Sequence, residues 1–249
     1  MTKTALYALD FDGVLCDSAV ETSITGWKVA SQLWSDMPTD TPSHIIELFR
    51  QVRPAMETGY EAILIMRLLF EKVSVSTLLN NFTDSIIAII DREQLAIPDL
   101  KKLFGTTRDQ WIDQNLHEWI AMNPLFDGIA TKLKHLDQDW CYIITTKQER
   151  FVSQILNANN LSLPAEQIFG LDRKLSKQQI LVNLLANHPE HKILFVEDRL
   201  PTLVNVLEDS RLEDIELFFA DWGYNTPQDR QTATELAITT INLADFSIL

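Results

Sequence analysis

Tyr7-Ala8-Leu9-Asp10-Phe11-Asp12-Gly13-Val14-Leu15-Cys16-Asp17-Ser18 joins an apolar run, Ala5 to Leu9, to two aspartates spaced i, i+2 and a glycine. The run reads as a short buried β-strand. The aspartates fall where it ends, and in open α/β sheets ligands bind beyond the carboxyl ends of the strands. Two carboxylates this close, beside a flexible glycine, suit a hard cation such as Mg²⁺. One of them can act as a nucleophile and the other as a general acid and base. An Asp-Gly turn after a strand is also common without any function, so the rest of the chain has to supply the context.

Further strand–helix alternation follows only after Asn123. Phe126 to Leu136 has a helical pattern, Trp140 to Thr145 reads as a strand, and Thr146-x-x-Glu149 as a capping box opening a helix to about Ala158. Ile168-Phe169 is a very short strand candidate. Ser176-x-x-Gln179 opens a helix to about Asn187, and Lys192 to Val196 is a strand that runs into Glu197-Asp198. Pro201 then suits the first turn of a helix. Ile215 to Ala220 and Ala237 to Ile241 are the last strand candidates. Strands alternating with helices predict a doubly wound, Rossmann-like parallel sheet.

The hundred or so residues between these two parts look helical throughout. Ser18-x-x-Glu21 reads as a capping box, and apolar faces recur over Ile45 to Val52, Ala62 to Phe70, Leu78 to Ile90 and Trp111 to Trp119. The expected organisation is an α/β core of residues 1–16 and 124–249 interrupted by a helical cap domain of residues 17–123.

Composition narrows the function. The net charge of −14 disfavours nucleic acid and anionic lipid as partners, and an anionic substrate then needs its own metal and lysine. The N-terminus does not read as a signal peptide, and no apolar run approaches the length of about 20 residues that spans a bilayer. Cys16 and Cys141 have neither metal-ligand spacing nor a partner pattern, and are expected to be buried free thiols, as suits the cytoplasm.

In a parallel sheet the strand ends converge on one edge. They bring Asp10 and Asp12, Thr145 and Thr146, Lys174 or Lys177, and Glu197 and Asp198 to that edge. Carboxylates for a cation, with hydroxyl and ammonium groups for an anion, make a clamp for a phosphoryl group.

These motifs, in this order, resemble the haloacid dehalogenase-like superfamily, and within it the Mg²⁺-dependent phosphatases of the phosphoglycolate-phosphatase-like type. Asp10-Phe-Asp12-Gly13-Val14 is similar to the first motif, Ile143-Ile144-Thr145 to the second, Lys177 or Lys174 to the lysine of the third, and Phe195-Val196-Glu197-Asp198 to the acidic fourth. Asn123-Pro124 to Gly128 resembles the turn back from cap to core, and Asp221-Trp222-Gly223-Tyr224 the turn after the fourth strand. The resemblance implies that Asp10 is the nucleophile and a metal ligand. It implies that Asp12 is the general acid and base, with its backbone carbonyl on Mg²⁺. Thr145, with Thr146 beside it, and the lysine would hold phosphate. Asp198 would bind the metal, with Glu197 as a ligand or a supporting partner. Where many relatives carry a second acid, four residues after the metal aspartate, this chain has Thr202; either Glu197 supplies that carboxylate or the metal binds more weakly. Asp12 favours phosphoryl chemistry over dehalogenation. The implied substrate is a small phosphorylated metabolite, with the protein a monomer or homodimer. A phosphomutase shares these motifs, and a non-catalytic relative is the third reading. In the cap, Arg53 is the candidate substrate contact, whereas Arg67 reads as a snorkelling or ion-paired residue.

Overall fold

The computed structural model describes residues 4–249. The chain divides into two compact units, residues 1–17 with 124–249, and residues 18–123. Asp17, expected in the helical part, belongs with the first unit: its N–H donates to Pro124 O (2.9 Å), next to the bridge that pairs Cys16 with Leu125. Strand β1 spans Thr4–Leu9 and is followed at once by the Asp10–Asp17 loop.

The helical unit contains α1 (Ala19–Leu33), α2 (Ser43–Val52), α3 (Glu61–Phe70), α4 (Val75–Asn80), α5 (Phe82–Glu93) and α6 (Ile97–Ala121), with no strand among them. Helix α3 is apolar almost all round, so it is the buried element, and Trp27, Phe49, Ile63 and Leu64 lie in the core it shares with α1 and α2. At Gly26 the α1 backbone passes so close to α3 that a Cβ there would lie 2.8 Å from the Ala62 carbonyl. The expected Ser18/Glu21 capping box does not form: Ser18 makes no side-chain cap. Glu21 is instead buried against Arg108, which grips it in a two-pronged pair (2.8 and 2.6 Å), and it also accepts from Thr25 and Trp119. A cap contributes about 1 kcal/mol, whereas a buried carboxylate without its cation costs several. Helix α6 is broken at Asn115 (φ −157°, ψ 78°), whose Oδ1 accepts from Glu118 N and so restarts the helix. Arg67 pairs with Asp36 (2.6 Å) and Glu71 (2.7 Å), as its place in an apolar helix suggested.

Back in the first unit come α7 (Ile129–His135), β2 (Cys141–Ile144), α8 (Glu149–Ala158), β3 (Ile168–Phe169), α9 (Lys177–Asn187), β4 (His191–Glu197), α10 (Leu200–Leu207), β5 (Glu216–Ala220), α11 (Pro227–Glu235), β6 (Thr239–Ile241) and α12 (Leu243–Ile248). All six strands are parallel, in the order β3-β2-β1-β4-β5-β6. Such sheets are covered on both faces, which is why their strands read as continuous apolar runs. Leu6, Ala8, Ile193, Phe195 and Phe219 face α9 and α10. On the opposite face Tyr7 lies under Lys132 of α7 and donates to Leu249 O (2.8 Å). Helix α7 starts later than its apolar pattern suggests, because Gly128 (φ +81°) makes the preceding turn. The Ser176/Gln179 capping box forms, and Pro201 sits in the first turn of α10. The Thr146/Glu149 box does not: α8 begins at Glu149, which accepts instead from Gly170 N and Arg173. Both cysteines are buried and free. No helix among the described residues is long and apolar enough to cross a membrane.

Candidate active site

The chain order reverses between β1 and β4, the central pair, and it is beyond the carboxyl ends of such a pair that α/β proteins bind ligands. Leu9 pairs with Val196 and Asp10 N donates to Val196 O (2.9 Å), which sets Asp10 beside Glu197 and Asp198. One carboxylate oxygen from each of these three buried residues lies within 4.8 Å of the other two.

Lys177, the first residue of α9, reaches into this cluster. Its Nζ lies 2.6 Å from Asp10 Oδ1 and 2.6 Å from Glu197 Oε2. Burial alone would lower its pKa, but the Asp10 and Glu197 carboxylates hold it above the usual lysine value. Burial pushes the Asp10 carboxyl up to about 7, against the pull of Lys177, with Glu197 and Asp12 adding to the rise. Lys174 is not brought in. It sits three residues earlier in the left-handed region (φ 56°), exposed, with no hydrogen bond to the cluster. The turn that ends in the Ser176 cap points α9, and with it Lys177, at the strand ends.

A second lysine was missed by the sequence reading. Lys147 is buried and its Nζ lies 2.9 Å from Asp12 Oδ1. It follows β2, the neighbour of β1 on the other side from β4, and its N–H donates to Thr145 Oγ1 (3.1 Å). A lysine two residues after a strand-end threonine was the only signal, and it gains meaning only once β2 is known to lie beside β1. Thr145 is buried at the end of β2, with its N–H on Phe169 O (2.9 Å); Thr146 follows, half-buried.

Asp198 is packed between backbone segments. A Cβ on Gly13 (φ +96°) would run into its carboxylate, and one on Gly223 into its own Cβ and the Gly13 carbonyl. Tyr224 N donates to Asp198 Oδ2, Tyr224 Oη to Asp17 (2.8 Å), and Trp222 Nε1 to Val14 O (3.1 Å). The Asp221–Tyr224 turn thus binds the loop after β1 to the end of β4. Both Glu197 oxygens are engaged by donors: Oε1 by the N–H groups of Asp198 and Arg199, Oε2 by Lys177. Arg53 lies in the helical unit, buried, with Nη1 donating to Met56 O (3.2 Å) of its own turn.

Among these groups four carboxylates, Asp10, Asp12, Glu197 and Asp198, face two ammonium groups, Lys147 and Lys177. An excess of carboxylates, all of them oxygen donors, over ammonium groups suits a divalent hard cation, so the donor set fits Mg²⁺.

No sequence-family profile matches the chain, and no curated protein does either. Solved structures do. A predicted phosphoglycolate phosphatase from Lactobacillus delbrueckii subsp. bulgaricus superposes with a TM-score of 0.64 at 13% identity, over 98% of this chain and 96% of that one. A predicted phosphoglycolate phosphatase from Haemophilus somnus gives 0.57 at 15%, over 92% of each chain. A haloacid dehalogenase-like family hydrolase from Streptococcus pneumoniae gives 0.53 at 16%, over 97% and 94%. The chain has the haloacid dehalogenase-like fold, as the motif order implied.

Proposed function

We propose that this protein is a Mg²⁺-dependent phosphatase that hydrolyses a small phosphorylated metabolite through an aspartyl-phosphate on Asp10. One observation carries the reading: the carboxyl ends of adjacent parallel strands bring together Asp10, Glu197 and Asp198, with Lys177 on the first two, and beside them Asp12 paired with Lys147. The solved phosphatases of the same fold support it.

Asp10 and Asp198 would hold the cation with side-chain oxygens and Asp12 with its backbone carbonyl. Glu197, whose oxygens are taken, would support Lys177 and the Asp198 turn. The bound cation would neutralise charge on the phosphoryl group. Asp10 attacks phosphorus, forming the acyl-phosphate bond as the ester P–O bond breaks. Asp12 gives its proton to the leaving oxygen, then takes one from the water that attacks the aspartyl-phosphate and frees inorganic phosphate. Lys177 favours the ionised Asp10 that attack requires, and with the Thr145 hydroxyl it holds phosphate oxygens. The test is phosphate release from p-nitrophenyl phosphate and a panel of phosphorylated metabolites, with Mg²⁺ or with EDTA. Release that needs Mg²⁺ and vanishes in Asp10→Asn is expected; no release from any compound overturns the reading.

A further inference from the structure

The opposite end of β4 carries a second cluster of ligating groups. Helix α9 ends at Asn187 and β4 begins at His191. The tight turn between them is closed by His191 N donating to His188 O (3.0 Å), with Pro189 inside it. The turn gathers His188, Glu190 and His191, and one ligand atom of each lies within 4.8 Å of the other two.

The orientation of these groups is informative. His191 is buried, and its Nδ1 lies 3.0 Å from Glu190 Oε1, yet that nitrogen makes no hydrogen bond of acceptable geometry. An ion pair or hydrogen bond would aim the N–H at the carboxylate. Two atoms that approach without facing each other fit two ligands converging on a third body; around tetrahedral zinc, with bonds of about 2.0–2.1 Å, ligand atoms lie about 3.3 Å apart. The rings are also held from outside the cluster. Trp140 stacks on His191 with centroids 3.9 Å apart, and Tyr142 Oη lies 3.2 Å from His188 Nε2. Fixing a ligating imidazole by a neighbouring polar group is usual at metal sites. Glu190 is exposed, which leaves an entry path.

We propose that His188, Glu190 and His191 bind a divalent transition-metal ion of the zinc type, with water completing its coordination. Two imidazoles and one carboxylate select such an ion over Mg²⁺, which takes oxygen ligands. The site is separate from the carboxylate cluster: the six steps from His191 to Glu197 along β4, at about 3.3 Å each, put the two about 20 Å apart.

The probe is Zn²⁺, titrated calorimetrically into the whole chain with Mg²⁺ saturating. One equivalent is expected for the wild type and for Asp198→Asn. His188→Gln, His191→Gln and Glu190→Gln should each weaken binding by about tenfold or more, and His44→Gln should not. Glu190 is exposed, so its variant separates lost ligation from lost folding. Absence of saturable Zn²⁺ binding in the wild type, or binding as tight in any of the three cluster variants as in the wild type, overturns the proposal.

Discussion

The Lys147 ammonium and the Asp12 carboxylate form a partly buried ion pair at 2.9 Å, linking the loop after β2 to the residue proposed to move protons. Such a contact fixes where the Asp12 carboxyl points. In Lys147→Met the Asp12 side chain loses that anchor. The rate of phosphate release should fall by about 10²-fold, the lower end of what a positioned acid–base group contributes. A comparison of leaving groups checks this: the loss should be larger for an alkyl phosphate, whose leaving oxygen needs the proton, than for p-nitrophenyl phosphate, a difference that a general packing defect would not produce.

Lys177 satisfies two buried carboxylates at once. Lys177→Met leaves both without their cation, and removing one partner of a buried pair costs about 3–5 kcal/mol. Urea unfolding should show that loss, and Mg²⁺ should recover part of it by neutralising Asp10. Lys174→Met, at an exposed position, should change neither stability nor turnover.

Gly223 leaves no room for a side chain beside Asp198 and Gly13. Gly223→Ala has to displace the Asp198 carboxylate or the loop after β1. Weaker Mg²⁺ binding and reduced turnover are expected, together with a stability loss in the range of about 1–3 kcal/mol seen for overpacking. Mg²⁺ titration followed by activity reads the first effect, and thermal unfolding the second.

The two thiols are sealed inside the α/β unit. Neither Cys16 nor Cys141 should react with a thiol reagent at pH 8 in the folded protein, and both should react in denaturant. Burial pushes the Cys141 thiol up to about 12, from 9.0. Between these values the unfolded chain has released a proton that the folded protein keeps, so stability falls as pH rises. The fall should be shallower in Cys141→Ala, measured as unfolding free energy from pH 8.5 to 11.

The strands were legible because a parallel sheet buries both faces, so Leu6–Leu9 and Ile193–Val196 show as short continuous apolar runs that end in aspartate or glutamate. Asp10, Asp12 and Asp198 were legible because each falls within three residues of the end of such a run. Lys147 was not, since nothing near it in sequence announces that β2 will lie against β1. The boxes at Ser18/Glu21 and Thr146/Glu149 match the same local pattern as Ser176/Gln179, yet only the last forms. Glu21 is claimed by Arg108 and Glu149 by Gly170 and Arg173, all distant in sequence.

The amino-acid sequence by itself determined the alternation of strands and helices, the helical insertion after β1 and the aspartates at the strand ends. All of these follow from apolar periodicity and short-range spacing. Only the tertiary structure decided which lysine meets Asp10, that a second one meets Asp12, and that Glu197 serves Lys177 and the Asp198 turn. Those choices depend on which charge finds which partner across the sheet, and leaving a buried charge without its partner costs more than the roughly 1 kcal/mol of a local cap.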